Sequence, residues 1–230
     1  MENLIGLDFT QSERDTLLPG LQVLKGQYDT LRTVALDNSV PVPLYFDPRL
    51  PGQTLPTGKD SYRFQEFPTK RPQNIQDCAF YTIGQLAHLI RTRQVTSLEL
   101  TTMYLERLKR HGPTLECVVT LTEELALKQA RRADKNIKAG RYLGPLHGIP
   151  YGAKDLLAVA GYKTTWGAMT HKDQVLDETA TVVQKLEDAG AVLVAKLTLG
   201  ALAWGDVWYG GKTRNPWNTE QGSSGSSAGP

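Results

Sequence analysis

Between Thr82 and Ala195 the chain alternates capped helical stretches with short apolar runs, and that alternation leaves few folds open. Thr82 and Gln85 stand three apart just ahead of Ile83, Leu86, Ala87 and Ile90. Thr96 and Glu99 repeat the spacing ahead of Leu100, Met103, Tyr104 and Leu108. In such a box the threonine hydroxyl and the Gln or Glu side chain each satisfy a backbone amide that the first helical turn leaves unpaired. Two helices are therefore predicted, the second closed by Gly112. Cys117 to Leu121 reads as a strand, and a third helix runs through Ala126, Ala130, Ala133 and Ile137 to Gly140. Leu146 to Lys154 reads as a strand with its turn. A helix from about Thr179 to Asp188 ends at Gly190, and Ala191 to Ala195 follows as a buried strand. Strands and helices in alternation bury their apolar faces as layers, so the expected class is α/β.

The region before this pattern has another texture. Thr10 and Glu13 form a third capping box, followed by Leu17, Leu21, Leu24, Tyr28 and Leu31 on one helical face. Pro19 and Gly20 are expected to kink this helix or delay its start, and its stripe to pack on its own domain. Seven prolines between Asn38 and Pro72 fix backbone angles and remove donors, which predicts an extended wrap with turns. Residues 1–75 are thus expected to form an extension, and 76–230 the main domain.

Composition narrows the function classes. Hydrophobic residues make up 40% and charged residues 22% of 230, enough for a globular core. The net charge is only +2, with basic and acidic residues interspersed, so neither nucleic acid nor an anionic membrane is an expected partner. The first residues lack the basic and apolar regions of a secretory signal, and no run of about 18 apolar residues exists. Cys78 and Cys117 read as free thiols, which suits a cytoplasmic setting. His88, His111, His147 and His171 are not spaced as metal ligands, and no phosphate-cradling glycine loop is present. No metal and no cofactor are expected.

Two places carry chemistry. In Gly144-Pro-Leu-His-Gly-Ile-Pro-Tyr-Gly-Ala-Lys154-Asp155, glycines and prolines shape the backbone tightly and then present a lysine. Lysines are generally exposed, but burial disfavours the ammonium form and leaves an amine able to accept a proton. Gln221-Gly-Ser-Ser-Gly-Ser-Ser-Ala-Gly-Pro230 reads either as a flexible linker or as a loop whose glycines admit a substrate and whose hydroxyls pass protons. Alone, neither place decides between its readings.

In this order the two resemble the amidase signature family. The run Gly148 to Asp155 is similar to that family's lysine segment. Asn215-Pro-Trp-Asn218 with Gly222-Ser223-Ser224-Gly225 is similar to the approach to its Gly-Gly-Ser-Ser-Gly-Gly-Ser motif, and Thr179 to Lys196 to the helix and strand between them. The resemblance covers about Thr82 to Pro230. It implies a mixed β-sheet flanked by helices, and hydrolysis of a linear carbon–nitrogen amide bond in a small-molecule substrate by a Ser-Ser-Lys triad through an acyl-enzyme. A serine hydroxyl is a weak nucleophile until a base takes its proton. Carried over by motif, Lys154 is the base and Ser223 the bridging serine, while Gly222, Ser224 and Gly225 shape the loop. Gln221 and Ser226 depart from the family's glycines. The family's nucleophile stands in a later Gly-Gly-Ser segment, so no serine of this chain is assigned that role, and the fold is expected to be incomplete at its C-terminal side.

Within the family, the long extension and the Leu197 to Trp204 segment favour a stand-alone amidase over the A-type component of a glutaminyl-tRNA amidotransferase. An inert fragment or interaction module is the rival from another class. His147 is expected in a local structural or substrate-edge role, Asp155 in a structural hydrogen bond, and Trp166, Trp204, Trp208 and Trp217 as core filling.

Overall fold

A computed structural model of the protein describes residues 6–37, 40, 42–44, 46–50, 52–55, 57–58, 61, 65 and 67–230. The chain divides into two compact units, Met1–Ser61 and Tyr62–Pro230.

The first unit holds α1 (Gln11–Arg32). The Thr10 hydroxyl accepts from the Glu13 amide at 3.3 Å, and the Glu13 carboxylate accepts from the Thr10 amide at 2.7 Å. That box sets the start of the helix, which then runs through Pro19 instead of being delayed by it. Within this unit no side chain of α1 is buried. Of the proline-rich stretch, Pro41, Pro51 and Pro56 lie outside the described residues, and the described ones form no helix or strand.

The second unit contains α2 (Ile83–Arg91), α3 (Ser97–Leu115), β1 (Val118–Leu121), α4 (Glu123–Lys138), β2 (Pro150–Lys154), α5 (Thr181–Asp188) and β3 (Val192–Leu197). Both predicted capping boxes form, at Thr82 and Thr96. Gly112 does not end α3, however. It lies buried inside the helix, where an added Cβ would stand 3.2 Å from Val118, so its smallness serves packing. The chain turns instead at Glu116, in left-handed conformation.

The strands form a mixed sheet in the order β1-β3-β2, with β1 antiparallel and β2 parallel to β3. β3 is buried along almost its whole length. Val192, Val194 and Ala195 pack with Leu105 of α3 and with Ala126 and Ala130 of α4, and Leu193 packs with Val183 of α5. Helices thus cover the sheet on both faces. Two buried polar side chains pair with the backbone of β3: Thr122 Oγ1 donates to the Leu193 carbonyl at 2.7 Å, and Gln129 Oε1 accepts from the Leu193 amide at 2.9 Å. Asp134 of α4 accepts from the Ser97 and Leu98 amides, placing a carboxylate on the electropositive start of α3. Cys78 is buried, Cys117 half-buried, and both are free thiols. No helix among the described residues is long and apolar enough to cross a membrane.

Arg71 fastens the incoming segment to α3 by a 2.7 Å bond to Glu99, and this guanidinium is the main cause holding the Glu99 carboxyl down at about 2. A carboxyl with a lowered folded-state pKa contributes stability above its unfolded value, about 4.5, and loses it as the pH falls toward 2. Glu99→Gln is expected to flatten the acid limb of stability in that window. Because both side chains are well exposed, the effect is at most about 1 kcal/mol. Urea midpoints of the two proteins measured across that range check it; parallel curves would contradict the assignment.

Candidate active site

Lys154 ends β2 and Asp155 follows it, and because successive residues of an extended chain face opposite ways, the two side chains part company. Asp155 turns inward and is fully buried. Its Oδ1 lies 2.8 Å from Lys196 Nζ, with both side chains sealed from solvent, and its Oδ2 accepts from the Thr165 amide at 2.9 Å and from the Thr165 hydroxyl. Lys196 Nζ also donates to the Lys163 carbonyl at 2.9 Å and to Thr164 Oγ1 at 3.2 Å. Burial pushes the Lys196 amine below the ordinary lysine range, against the opposing pull of Asp155. This pair therefore ties the ends of β2 and β3 to the 163–165 loop. Periodicity ends the buried strand at Ala195 and leaves Lys196 just beyond it, whereas the strand runs on to Leu197; the signal that could have singled Lys196 out is a lone cation inside the apolar run Ala191 to Leu197.

Lys154, half-buried, points to the serine loop. Its Nζ donates to Ser226 Oγ at 3.2 Å and to Ser227 Oγ at 3.1 Å, Ser226 being the less exposed of the two. The structure does not bring it to Ser223, whose hydroxyl donates to the carbonyls of Ala228 at 2.9 Å and Ser224 at 3.2 Å. The triplet Gly-Ser-Ser occurs twice, at 222–224 and 225–227, and it is the second copy that meets the lysine.

The first copy belongs to the frame that holds the loop. β4 (Val207–Trp208) pairs with β5 (Gly211–Lys212), and β6 (Arg214–Asn215) with β7 (Asn218–Gly222). The Ser223 amide donates to the Thr213 carbonyl at 2.8 Å, the Ser224 amide to Asp206 Oδ2 at 3.1 Å, and the Gly229 amide to the Thr198 carbonyl at 3.0 Å. Thr213 is itself buried, its hydroxyl 2.7 Å from that of Thr198. Glu116 secures this ribbon to the end of α3, accepting from the Lys212 amide at 2.8 Å and pairing with Arg214 at 3.3 Å. Gly222 begins the loop, and Gly225 has no room for a side chain, since an added Cβ would fall 2.1 Å from the Gly205 carbonyl oxygen. Five non-glycine residues here hold positive φ: Glu116, Trp166, Leu202, Ala203 and Ser224. Such backbone costs about 1–3 kcal/mol per residue and gathers at functional sites.

His147 is buried, its Nδ1 accepting from the Leu143 amide at 3.0 Å, and burial with Arg141 and Arg132 nearby pushes its pKa down. It shapes the turn ahead of β2. The tryptophans do not all fill core: Trp204 and Trp217 stand on turns and are 85% and 91% exposed. Among the described residues no three His, Cys, Asp or Glu side chains converge as a metal-ligating set.

Comparison with known proteins bears on this site. The family model described as Amidase matches residues 99–230. The A-type component of the glutamyl-tRNA(Gln) amidotransferase of Hahella chejuensis is 40% identical over 150 residues, 64% of this chain and 31% of that protein. The same-named component from Azoarcus sp. is 41% identical over 153 residues, again 64% and 31%. Among solved structures, the peptide amidase of Stenotrophomonas maltophilia superposes with a TM-score of 0.61 at 34% identity, covering 67% of this chain and 34% of that one. A fatty acid amide hydrolase superposes with a TM-score of 0.62 at 26% identity, over 67% and 27%. The chain spans about a third of the length of the curated relatives it matches. The lysine-bearing strand and the serine loop both fall inside the matched region, and the chain belongs to the amidase signature family.

Proposed function

We propose that this segment supplies the base and the relay hydroxyl of an enzyme that hydrolyses a linear carbon–nitrogen amide bond. The observation that carries the reading is the 3.2 Å contact between Lys154 Nζ and Ser226 Oγ. With the amine neutral, that contact lets Ser226 give its proton to Nζ while taking one from a nucleophilic serine. In this reading no serine of these 230 residues serves as the nucleophile. The serine oxygen bonds to the carbonyl carbon, the proton returns along the relay to the departing nitrogen, and the carbon–nitrogen bond breaks. Water then hydrolyses the acyl ester. Ser223, Ser224, Gly222 and Gly225 hold the loop so that Ser226 faces the lysine. A small-molecule amide is the substrate class, and the two free thiols support a cytoplasmic setting.

The test uses a protein carrying this segment together with the remainder of the family fold. Ser226→Ala is expected to lower kcat for ammonia or amine release by about 10²–10⁴-fold. Ser223→Ala, which loosens the loop without removing a relay atom, is expected to cost about tenfold. Full activity in Ser226→Ala with collapse in Ser227→Ala would move the relay to Ser227, and full activity in both would end the reading.

A second reading is favoured by the amidotransferase relatives at 40% and 41% identity. In it the same relay releases ammonia from glutamine for transfer by partner proteins. Glutamine-dependent ammonia release that appears only on adding such partners selects it over a stand-alone amidase. A full-length protein inactive on both glutamine and simple amides would favour a non-catalytic module.

A further inference from the structure

Asp206 follows Gly205 in the turn ahead of β4, and its side chain reaches across to the serine loop. Its Oδ2 accepts from the Ser224 amide at 3.1 Å, and its backbone carbonyl accepts from the Thr213 amide at 3.1 Å. Thr213 in turn accepts from the Ser223 amide through its own carbonyl, so two successive loop amides are held from one strut. The approach is built into both partners. An added Cβ on Gly222 would fall 1.8 Å from Asp206 Oδ2, and one on Gly225 would fall 2.1 Å from the carbonyl oxygen of Gly205. Only glycines admit the 205–206 turn this close to the loop.

Ser224, whose amide the carboxylate takes, has φ +70°, a left-handed conformation that non-glycine residues avoid. It stands two residues before Ser226. Releasing its amide lets the backbone at 224 relax toward an ordinary conformation, and a change of φ there swings everything that follows, the Ser226 hydroxyl included. A charged acceptor makes a stronger bond to an amide than a neutral one, which suits the task of holding a disfavoured backbone.

We infer that Asp206 is a positioning residue: its carboxylate fixes Ser224 in the left-handed conformation and so aims Ser226 at Lys154. This rests on the relay reading for its effect on rate, but not for the clamp itself. Asp206 touches neither the lysine nor the reacting atoms. Its signature is a loss of turnover that a neutral acceptor of the same shape largely restores.

The experiment compares Asp206→Ala, Asp206→Asn and the double variant Asp206→Ala/Ser224→Gly in the full-length protein, with hydrogen exchange of the Ser224 amide as a second readout. Asp206→Ala is expected to lower kcat by about 10²-fold with little change in KM, since misplacing a catalytic group by an ångström costs about that much. Its Ser224 amide should exchange at least about tenfold faster. Asp206→Asn should stay within a few-fold of the parent on both readouts. Ser224→Gly, which removes the left-handed penalty, should recover part of the kcat lost in Asp206→Ala. Unchanged kcat in Asp206→Ala, or Asn as poor as Ala with Ser224 still protected, would overturn the assignment. If Asp206→Ala fails to fold, the Asn variant and its Ser224 exchange decide alone. If Lys154→Ala retains full turnover, the relay reading falls, while Ser224 exchange still reports whether the clamp exists.

Discussion

Lys154→Ala is expected to reduce amide turnover by about 10²–10⁴-fold in a protein containing the whole family fold, and Lys154→Arg to do no better. The pair of substitutions separates two roles. An arginine retains positive charge and hydrogen-bond donors, and its longer fork can still reach Ser226 and Ser227, but a guanidinium cannot be deprotonated in a protein. If the lysine only steadied the serine loop as a cation, arginine would preserve much of the rate. If it receives the proton, arginine is as inert as alanine. Steady-state kinetics on one simple amide suffice, with thermal unfolding as the control for folding, since Lys154 is half-buried and no other described group depends on its amine. Turnover in Lys154→Arg above about a tenth of the parent rate would remove proton transfer at this residue from the reading.

The largest effect on stability is expected at Lys196. Lys196→Met keeps the volume and the apolar stem but leaves Asp155 charged, fully buried and without its counter-ion. Breaking a buried pair from one side costs about 3–5 kcal/mol, because the stranded charge cannot be rehydrated. Asp155→Asn strands the lysine in the same way, although the asparagine oxygen can still accept from the Thr165 amide. The double variant should cost clearly less than the two single losses added together, with a coupling of about 1–3 kcal/mol, since residues in one network are not independent. Urea unfolding of the four proteins measures the cycle. A cost below about 1 kcal/mol for Lys196→Met would show that the pair adds little to holding β2, β3 and the 163–165 loop.

Much of the fold is legible in the sequence because its signals are local. Each capping box needs only residues three apart, and all three boxes at Thr10, Thr82 and Thr96 form. The buried strand and the glycine-closed helices lie within a residue or two of where periodicity puts them. Gly112 shows the limit of such reasoning. A glycine ends a helix when the chain must turn left-handed and continues it when a neighbour needs the space, and only the position of Val118 decides between them. Trp204 and Trp217 depart from core filling for a related reason, since a residue type says that a ring prefers burial but not whether its turn offers any.

At the site, Lys154 announces itself through the glycines and prolines that shape its approach. Asp155 and Lys196 do not, because nothing in one dimension says that residues 41 positions apart will share a pocket; the pairing of β2 with β3 creates that neighbourhood. The serine loop is harder again. Two identical triplets carry identical local information, and which one faces the lysine is fixed by distant anchors: Thr213, Thr198 and Asp206.

Because those triplets lie head to tail, losing any three consecutive residues between Gly222 and Ser227 yields one and the same product, with a single Gly-Ser-Ser between Gln221 and Ala228. Such a chain would look intact to a motif search. It would nonetheless have to choose between tethering its loop and presenting a hydroxyl to the amine, since one triplet cannot stand in both places. The length of this short tract therefore matters to the proposed relay as much as its chemistry does.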